Sequence, residues 1–585
     1  MLLACPLRFL AGFKVKISSW IKILVLTATK VISYFSIMNT FLQIHPEDNV
    51  LVALQDLRSG TDIGFNGSTI KLLQDVPAKH KFMIADAQSG APITMYGVLV
   101  GKANTLIRKG EIITIENVKH DANAFHEKDG NIQWEKPDVS KWQTRTFMGY
   151  HRKDGQVGTR NYWLVIPMVF CENRNVSVIK TAFEKGLGFA PAEVYNDQVQ
   201  DLVALYKSGN LSAIKEYKAE AITATDKRNT VFSNIDGIKF LMHEGGCGGT
   251  RQDSDALCAL LAGYIHHPNV AGATILSLGC QHAQVSILQA ALKKLNPQFD
   301  KPLLVFEQQK SASEFTMLSD AIRETFLALV EADKSPRQPA PLSKLVIGLE
   351  CGGSDGFSGI SANPAVGHTS DLLVALGGTS ILSEFPELCG VEQELINRCV
   401  DTDTSDKFIR IMRAYESQAE SVGSGFYMNP SPGNIKDGLI TDAIKSAGAA
   451  KKGGISPVTD VLDYTEYIKR PGLNLLCTPG NDVESTSAEV GSGANIVLFT
   501  TGLGTPTGNP IAPVVKLATN TKLAQRMPDI IDINTGTIIS GEKSIEAMGE
   551  EILEYVIKAA SGEVQTKAEL LRQDDFIPWK RGVSL

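Results

Sequence analysis

The sequence predicts an α/β protein, a small N-terminal β-rich domain followed by a large body of parallel-sheet α/β domains. Three observations predict it. At 585 residues the chain is too long for one core, and about three or four domains is the ordinary expectation. Residues 40–120 are dense in short β-like runs punctuated by glycine, among them NVLVAL, STIKLL, KFMIA and EIITIEN. From about residue 146 apolar runs alternate with helical stretches such as SDALCALLAGYIHH and QVSILQAALKKL, the pattern of a parallel sheet with crossover helices.

Composition narrows the class. Apolar residues make up 43% and charged residues 21%, ordinary for a globular chain. The net charge of −7 argues against nucleic acid as a partner, because phosphate binding needs a basic face. Nine scattered cysteines with no C-x-x-C pair read as reduced, cytoplasmic thiols. Residues 1–37 are apolar and basic, with no acid before Glu47. Arg8, Lys14, Lys16, Lys22 and Lys30 interrupt every span long enough to cross a bilayer, and no A-x-A-like cleavage site follows. This stretch is read as a non-essential extension, with the folded protein beginning near Met38 and no membrane partner.

In chain order, residues 38–121 are expected to form the β domain and 122–145 a polar linker. Residues 146–340 form a first α/β domain and 341–585 a second. Several predicted body strands end alike. YWLVIPMVF runs into Cys171-Glu172-Asn173, and IKFLMHE meets Gly245-Gly246-Cys247. ATILSLG meets Cys280-Gln281-His282, and LVIGLE meets Cys351-Gly352-Gly353-Ser354-Asp355. LNLL meets Cys477-Thr478-Pro479-Gly480-Asn481-Asp482, and NIVLFTTG runs into Leu503-Gly504-Thr505-Pro506. In open α/β sheets ligands bind beyond the carboxyl ends of the strands, where glycine lets backbone approach closely. Thiols, acids and amides repeatedly placed there read as site lining. A nucleotide site is not indicated: no G-x-G-x-x-G follows a first strand, and GLGTPTGNP at 502–510 lacks the P-loop lysine.

The chain resembles the altronate and galactarate dehydratase family of sugar-acid lyases from Met38 to Leu585. The marks are IHPEDNVLVAL (44–54), AKHKF (78–82), YGVLVGKA (96–103), DGQVGTRNYWLVIP (154–167), LECGGSDGFSGISANPAVG (349–367), NPSPGN (429–434), PGLNLLCTPGND (471–482) and TTGLGTPTGNPIAPVVKLATN (500–520). The resemblance implies a SAF-type β domain joined to an α/β body, and dependence on Fe2+ or a similar ion such as Mn2+. It also implies dehydration of an aldonic or aldaric acid to a 2-keto-3-deoxy acid in hexuronate catabolism. One departure stands out. Where many relatives close the SAF domain with a histidine-rich stretch, this chain has Gly110-Glu111-Ile112-Ile113-Thr114-Ile115-Glu116-Asn117. Either those histidines are dispensable or Glu116 and His120 substitute.

Such a dehydration removes a proton beside a carboxylate and expels hydroxide from the next carbon. It needs a base, concentrated positive charge for the enediolate, and an acid for the leaving group. The catalytic candidates are His45 and His80 on the β domain and Glu350 and Asp355 on the body. Lys79, Ser354, Asn363, Asn481, Asp482 and Lys516 are candidate substrate-binding groups. Arg160 with Asn161 either grips the substrate carboxylate bidentately or is a surface pair. Metal-ligand candidates are Asp48, His243, Cys247, Cys280, His282 and Cys351, since imidazole and thiolate both suit iron. His266 and His267 read as a helix cap. An alternative cofactor is a [4Fe–4S] cluster on Cys247, Cys280 and Cys351. The partner expected is a small sugar acid; homo-oligomerisation is left open. Rival readings are a galactarate dehydratase or sulfolactate sulfo-lyase sharing the β-elimination, and a sugar-acid-binding regulator that lost catalysis.

Overall fold

The computed structural model describes residues 40–131, 133–190, 194–219 and 230–584. The expectations for residues 1–37 and for a start at Met38 lie outside them. Among the described residues, no helix is long and apolar enough to cross a membrane.

The N-terminal region is built from short antiparallel pieces: a three-stranded sheet containing Val50–Ala53 and Lys81–Met83, a hairpin (Asp62–Phe65 with Ser68–Lys71), and a second three-stranded sheet containing Pro92–Met95 and Val98–Ala103. Asn66-Gly67 and Tyr96-Gly97 turn two hairpins with positive φ, 48° and 75° in the first and 58° and 77° in the second. That conformation suits Asn-Gly. A tyrosine there is unusual, and tertiary packing explains it: the Tyr96 hydroxyl fills the space where a Cβ on Gly359 would lie 2.3 Å away. The β domain thus docks on the body through a buried ring.

The first body sheet comprises Tyr162–Pro167 (β1), Gly237–Phe240 (β2), Val270–Ser277 (β3) and Leu303–Glu307 (β4), all parallel, in the order β2-β1-β3-β4. In β1, Trp163 and Val165 join one apolar cluster while Leu164 and Ile166 join another. Both faces are covered, so the strand reads as one unbroken apolar run. The second sheet comprises Val346–Cys351 (β5), Thr379–Leu382 (β6), Val458–Leu462 (β7), Gly472–Leu476 (β8), Ile496–Thr501 (β9), Val514–Ala518 (β10) and Ile533–Asn534 (β11). All its pairings are parallel and the order is β7-β8-β6-β5-β9-β10-β11.

One apolar core lies between the two sheets. It holds Leu164 and Ile275 from the first and Ile381, Leu476, Val497 and Phe499 from the second. Helices Arg251–His266 and Asp482–Gly491 cross within it, at a point where a Cβ on Gly263 would be 2.1 Å from the Gly491 carbonyl oxygen. The segment expected as a linker lies along the body, with Trp142 buried and donating to Glu554 at 2.9 Å.

Docking of the β domain buries Lys81, whose Nζ donates to the Gly438 carbonyl at 2.6 Å. Burial pushes its pKa down from 10.5 to about 7. The folded state therefore binds fewer protons than the unfolded chain between those values, and stability should rise with pH across that window. Lys81→Met is expected to flatten this rise, which is on the order of 4 kcal/mol. Calorimetric unfolding of both proteins from neutral to alkaline pH checks it; parallel pH dependences would reject it.

Candidate active site

In the second sheet the chain starts at β5, builds outward on one side through β6, β8 and β7, then returns to β5's other flank with β9. That reversal makes the carboxyl ends of β5 and β9 the topological switch point, where α/β sheets bind ligands. Gly352 follows β5 directly. A Cβ there would lie 2.0 Å from Asp482 Oδ2 and 2.6 Å from the Phe499 ring, so only glycine lets Asp482 rest on the backbone.

Around this point the fold gathers five carboxyl groups and three lysines. Glu350 Oε2 accepts from the hydroxyls of Ser383 at 3.0 Å and Ser485 at 2.7 Å, while its Oε1 is buried without a partner. Glu384 is fully buried with φ 64° and ψ 64°, a left-handed conformation costly for a residue with a side chain. Its Oε2 accepts from Lys452 Nζ at 2.8 Å, and its Oε1 has no partner. Glu387 pairs with Lys445 at 2.6 Å and accepts from the Cys351 thiol at 3.0 Å. Glu489 accepts from the Ser383 hydroxyl at 2.8 Å and the Leu349 amide at 2.9 Å. Lys516 is completely buried, stacked 3.5 Å from the Phe499 ring centroid, and its Nζ has no hydrogen-bond partner.

The electrostatics follow from this imbalance. Burial, then the Glu384 and Glu489 charges, pushes Glu350 well above the ordinary carboxylate range. Burial lifts Glu489 to about 8 and Asp482 to about 7, and lowers Lys516 to about 7. Glu387 is buried too, yet the Lys445 and Lys452 charges outweigh that and hold it below its usual value. Burial and the neighbouring glutamates keep Cys351 a thiol. Oxygens of Glu350, Glu384 and Asp482 lie within 4.8 Å of one another, as do the ligand atoms of Cys351, Glu384 and Glu387. Five acids against three lysines leave room for a divalent cation, and the all-oxygen trio suits a hard ion.

The β domain supplies one wall. Lys79, at φ 77°, projects Nζ to 3.0 Å from Asp355 and 2.9 Å from Asp437. Its carbonyl packs so closely that a Cβ on Gly356 or Gly438 would be 2.5 Å away in each case. His80 beside it is half-buried, with Nδ1 at 3.3 Å from the Ala78 carbonyl. Burial, reinforced by the flanking lysines, lowers its pKa below 6.5.

Glu350, Cys351, Asp355, Asp482, Lys516, Lys79 and His80 thus belong to this edge. Ser354 and Asn363 lie beside it: the Ser354 backbone carbonyl accepts from Asn434, and the Asn363 side chain bridges Gly448 and Thr500. Asn481 caps helix Asp482–Gly491.

Other expectations need correction. Arg160 does not await a substrate. It is buried ahead of β1, bidentate to Glu569 at 2.7 and 3.0 Å, and bonded to the Thr159 and Ala559 carbonyls. Asn161 is tied to Arg152 and Asn234 at the same amino end of the sheet. Asp48 is buried on the β domain, where its two oxygens accept the amides of His45 and Gly97 at 2.9 Å each, and it belongs to neither group of candidate cation ligands found among the described residues. His45 is exposed on that turn, accepting from the Glu47 amide and making no hydrogen bond to the carboxyl cluster. His243 is buried with both ring nitrogens used, toward the Pro167 carbonyl and the Gly245 amide, so it has no lone pair to give. Cys351 lies on the second sheet, whereas Cys247, Cys280 and His282 are exposed at the first, and the three cysteines of the alternative cluster do not form a group with ligand atoms within 4.8 Å of one another among the described residues. His267 bonds the Ala494 carbonyl and Asn269 amide, in keeping with a structural role. Glu116 is exposed, and His120 keeps a buried Nδ1 without a partner.

The sequence reading missed Glu384, Glu387, Glu489, Lys445, Lys452 and Asp437. A signal existed for the first two: in TSILSEFPEL an apolar run ends in two acids, the strand-end pattern without its cysteine or glycine.

Comparison with known proteins places the geometry in context. The family described as D-galactarate/altronate dehydratase, C-terminal, matches residues 342–584. The second domain of D-galactarate dehydratase/altronate hydrolase matches 149–333, and the altronate/galactarate dehydratase SAF domain matches 39–121. The altronate dehydratase of Bacillus subtilis (strain 168) is 33% identical over 528 residues, covering 90% of this chain and 96% of that protein. The altronate dehydratase of Escherichia coli (strain K12) is 33% identical over 546 residues, covering 93% and 100%. The galactarate dehydratase (L-threo-forming) of the same bacterium is 30% identical over 534 residues, covering 90% and 94%.

Proposed function

The chain belongs to the D-galactarate/altronate dehydratase family of hydro-lyases, and from that premise we propose that it dehydrates D-altronate to 2-dehydro-3-deoxy-D-gluconate in the cytoplasm. The observation that carries this reading is Lys516, a buried lysine whose Nζ has no partner amid carboxyl groups at the switch point. A buried cation without an anion is costly, and a substrate carboxylate supplies what it lacks. Among the described residues, Lys516 is the one buried lysine Nζ without a partner. A single such group favours an acid with one carboxylate over an aldaric acid with two.

Roles for the chain's own groups follow. Lys516 binds the substrate carboxylate. His80, neutral because burial lowers its pKa, takes the C2 proton at Nε2, the nitrogen left free by the Nδ1 contact to Ala78. Lys79 is raised above 10.5 by Asp355 and Asp437 against the opposing effect of burial, so it stays protonated and donates to the hydroxide leaving C3. Glu350, Glu384 and Asp482 would hold Fe2+ or Mn2+, which when bound supplies Lewis acidity toward the enediolate.

The test is turnover of altronate by the purified, Fe2+-supplemented protein, followed by a 2-keto acid assay, with galactarate in parallel. Altronate turnover is expected. Binding without turnover would favour the regulator, and turnover of galactarate alone would reject the substrate. Lys516→Met is expected to raise KM by about 10- to 150-fold, the equivalent of one lost charge-assisted hydrogen bond. An unchanged KM would remove Lys516 from the site.

A further inference from the structure

The first sheet carries a second carboxyl edge that the proposed reaction does not use. Its order β2-β1-β3-β4 puts the reversal between β1 and β3, with β2 on β1's other flank. Each of these three strands is followed by a loop holding one cysteine: Cys171, Cys247 and Cys280. All three are exposed, whereas the other described cysteines are buried or partly so.

The loops are pinned together through the residues just before Cys247. The Gly245 carbonyl accepts the Phe170 amide at 3.1 Å, and the Gly246 carbonyl accepts the Ala283 amide at 3.1 Å. Gly246, at φ 99°, lies where a Cβ would be 2.3 Å from the Met168 carbonyl oxygen, so the Cys171 and Cys247 loops touch backbone to backbone. His243 serves this arrangement, its Nε2 donating to the Pro167 carbonyl at 2.8 Å and its Nδ1 accepting from Gly245 at 3.1 Å.

Two unpartnered polar atoms sit at the same edge. Glu172, fully buried beside Cys171, uses one carboxylate oxygen toward Asn175 and leaves Oε1 without a partner. Asn173 donates to the His243 carbonyl, and its buried Oδ1 is likewise unsatisfied. Buried polar atoms ordinarily find partners, and these two acceptors have none within the protein.

We propose that Cys171, Cys247 and Cys280 together hold a [4Fe–4S] cluster through three thiolates, leaving one iron open. The three thiols do not form a ready-made site for a lone ion. One ion with thiolates at about 2.3 Å needs its sulfurs roughly 4 Å apart. These three cysteines are absent from the described groups whose ligand atoms fall within 4.8 Å of one another. Cysteine thiolates are the usual ligands of iron–sulfur clusters. The assignment uses none of the carboxyl-site residues and does not rest on the sugar-acid reading.

The experiment is anaerobic treatment of the full chain with ferrous iron and sulfide, then iron and acid-labile sulfide analysis and electron paramagnetic resonance of the reduced protein. Iron and sulfide in equal amounts are expected. Cys171→Ser, Cys247→Ser and Cys280→Ser should each lose most of the sulfide while unfolding at the parent temperature, and Cys258→Ser, from the buried set, should retain it. Iron without sulfide, a disulfide between two of the three thiols in place of metal, or full sulfide in all three variants would overturn the proposal. Because sulfide is read without turnover, a cluster-bearing protein inactive on altronate would reject the sugar-acid reading alone.

Discussion

Glu384→Gln is expected to destabilise the protein by about 3–5 kcal/mol and to abolish turnover, the largest effect foreseen for a single change of charge. The substitution preserves size and the left-handed backbone but removes the carboxylate that faces Lys452 at 2.8 Å. Both side chains are about 1% exposed, so water cannot replace the lost partner. A second effect compounds it, because Glu384 belongs to both groups of candidate cation ligands. The double variant Glu384→Gln with Lys452→Met separates the two. Removing both charges should restore most of the stability without restoring activity, since an apolar pair can match a buried ion pair but cannot bind a cation. Denaturant unfolding and the 2-keto acid assay read these outcomes. A double variant that regains turnover would show that the pair serves folding only.

His80→Asn should lower kcat by about 10²- to 10⁴-fold, the usual worth of a positioned general base, with little change in KM. The parent's activity should fall in acid as His80 protonates. Because burial holds its pKa below 6.5, that acid limb should lie below the ordinary histidine range. In the asparagine variant the limb should vanish along with most of the rate. An unchanged kcat, or an acid limb that survives the substitution, would transfer the base role to another group.

The strand ends show how far local reading reaches. β1, β3, β5, β8 and β9 each lie within apolar runs that the sequence marks plainly, because strands covered on both faces carry few polar positions to blur them. The switch from apolar run to acid and glycine at the end of β5 singled out Glu350 and Asp355 without any knowledge of pairing, but that Gly352 would seat Asp482 was not legible. AKHKF identified Lys79 and His80, though nothing local said that Lys79 would meet Asp437, 358 residues onward.

Arg160 shows where that reading fails. An arginine before a strand looks free until Glu569, 409 residues later in the chain, closes on it with two hydrogen bonds. His243 fails for a related reason: it has ligand chemistry, but neighbouring backbone already uses both ring nitrogens, while the Asp48 oxygens hold the turn amides of His45 and Gly97. Lys445 and Lys452 sit in and beside a short helix whose sequence carries no hint that their charges are buried against Glu387 and Glu384.

The sequence by itself determined which segments become strands, which loops are open enough to admit a ligand, and which residue types stand at each strand end. These are consequences of hydrophobic period and backbone freedom, both local. Only the tertiary structure decided which of those groups remain unpaired. Hydrogen-bond and charge satisfaction depends on partners hundreds of residues away, and that is why Lys516 is left as a candidate site cation while Arg160 is not.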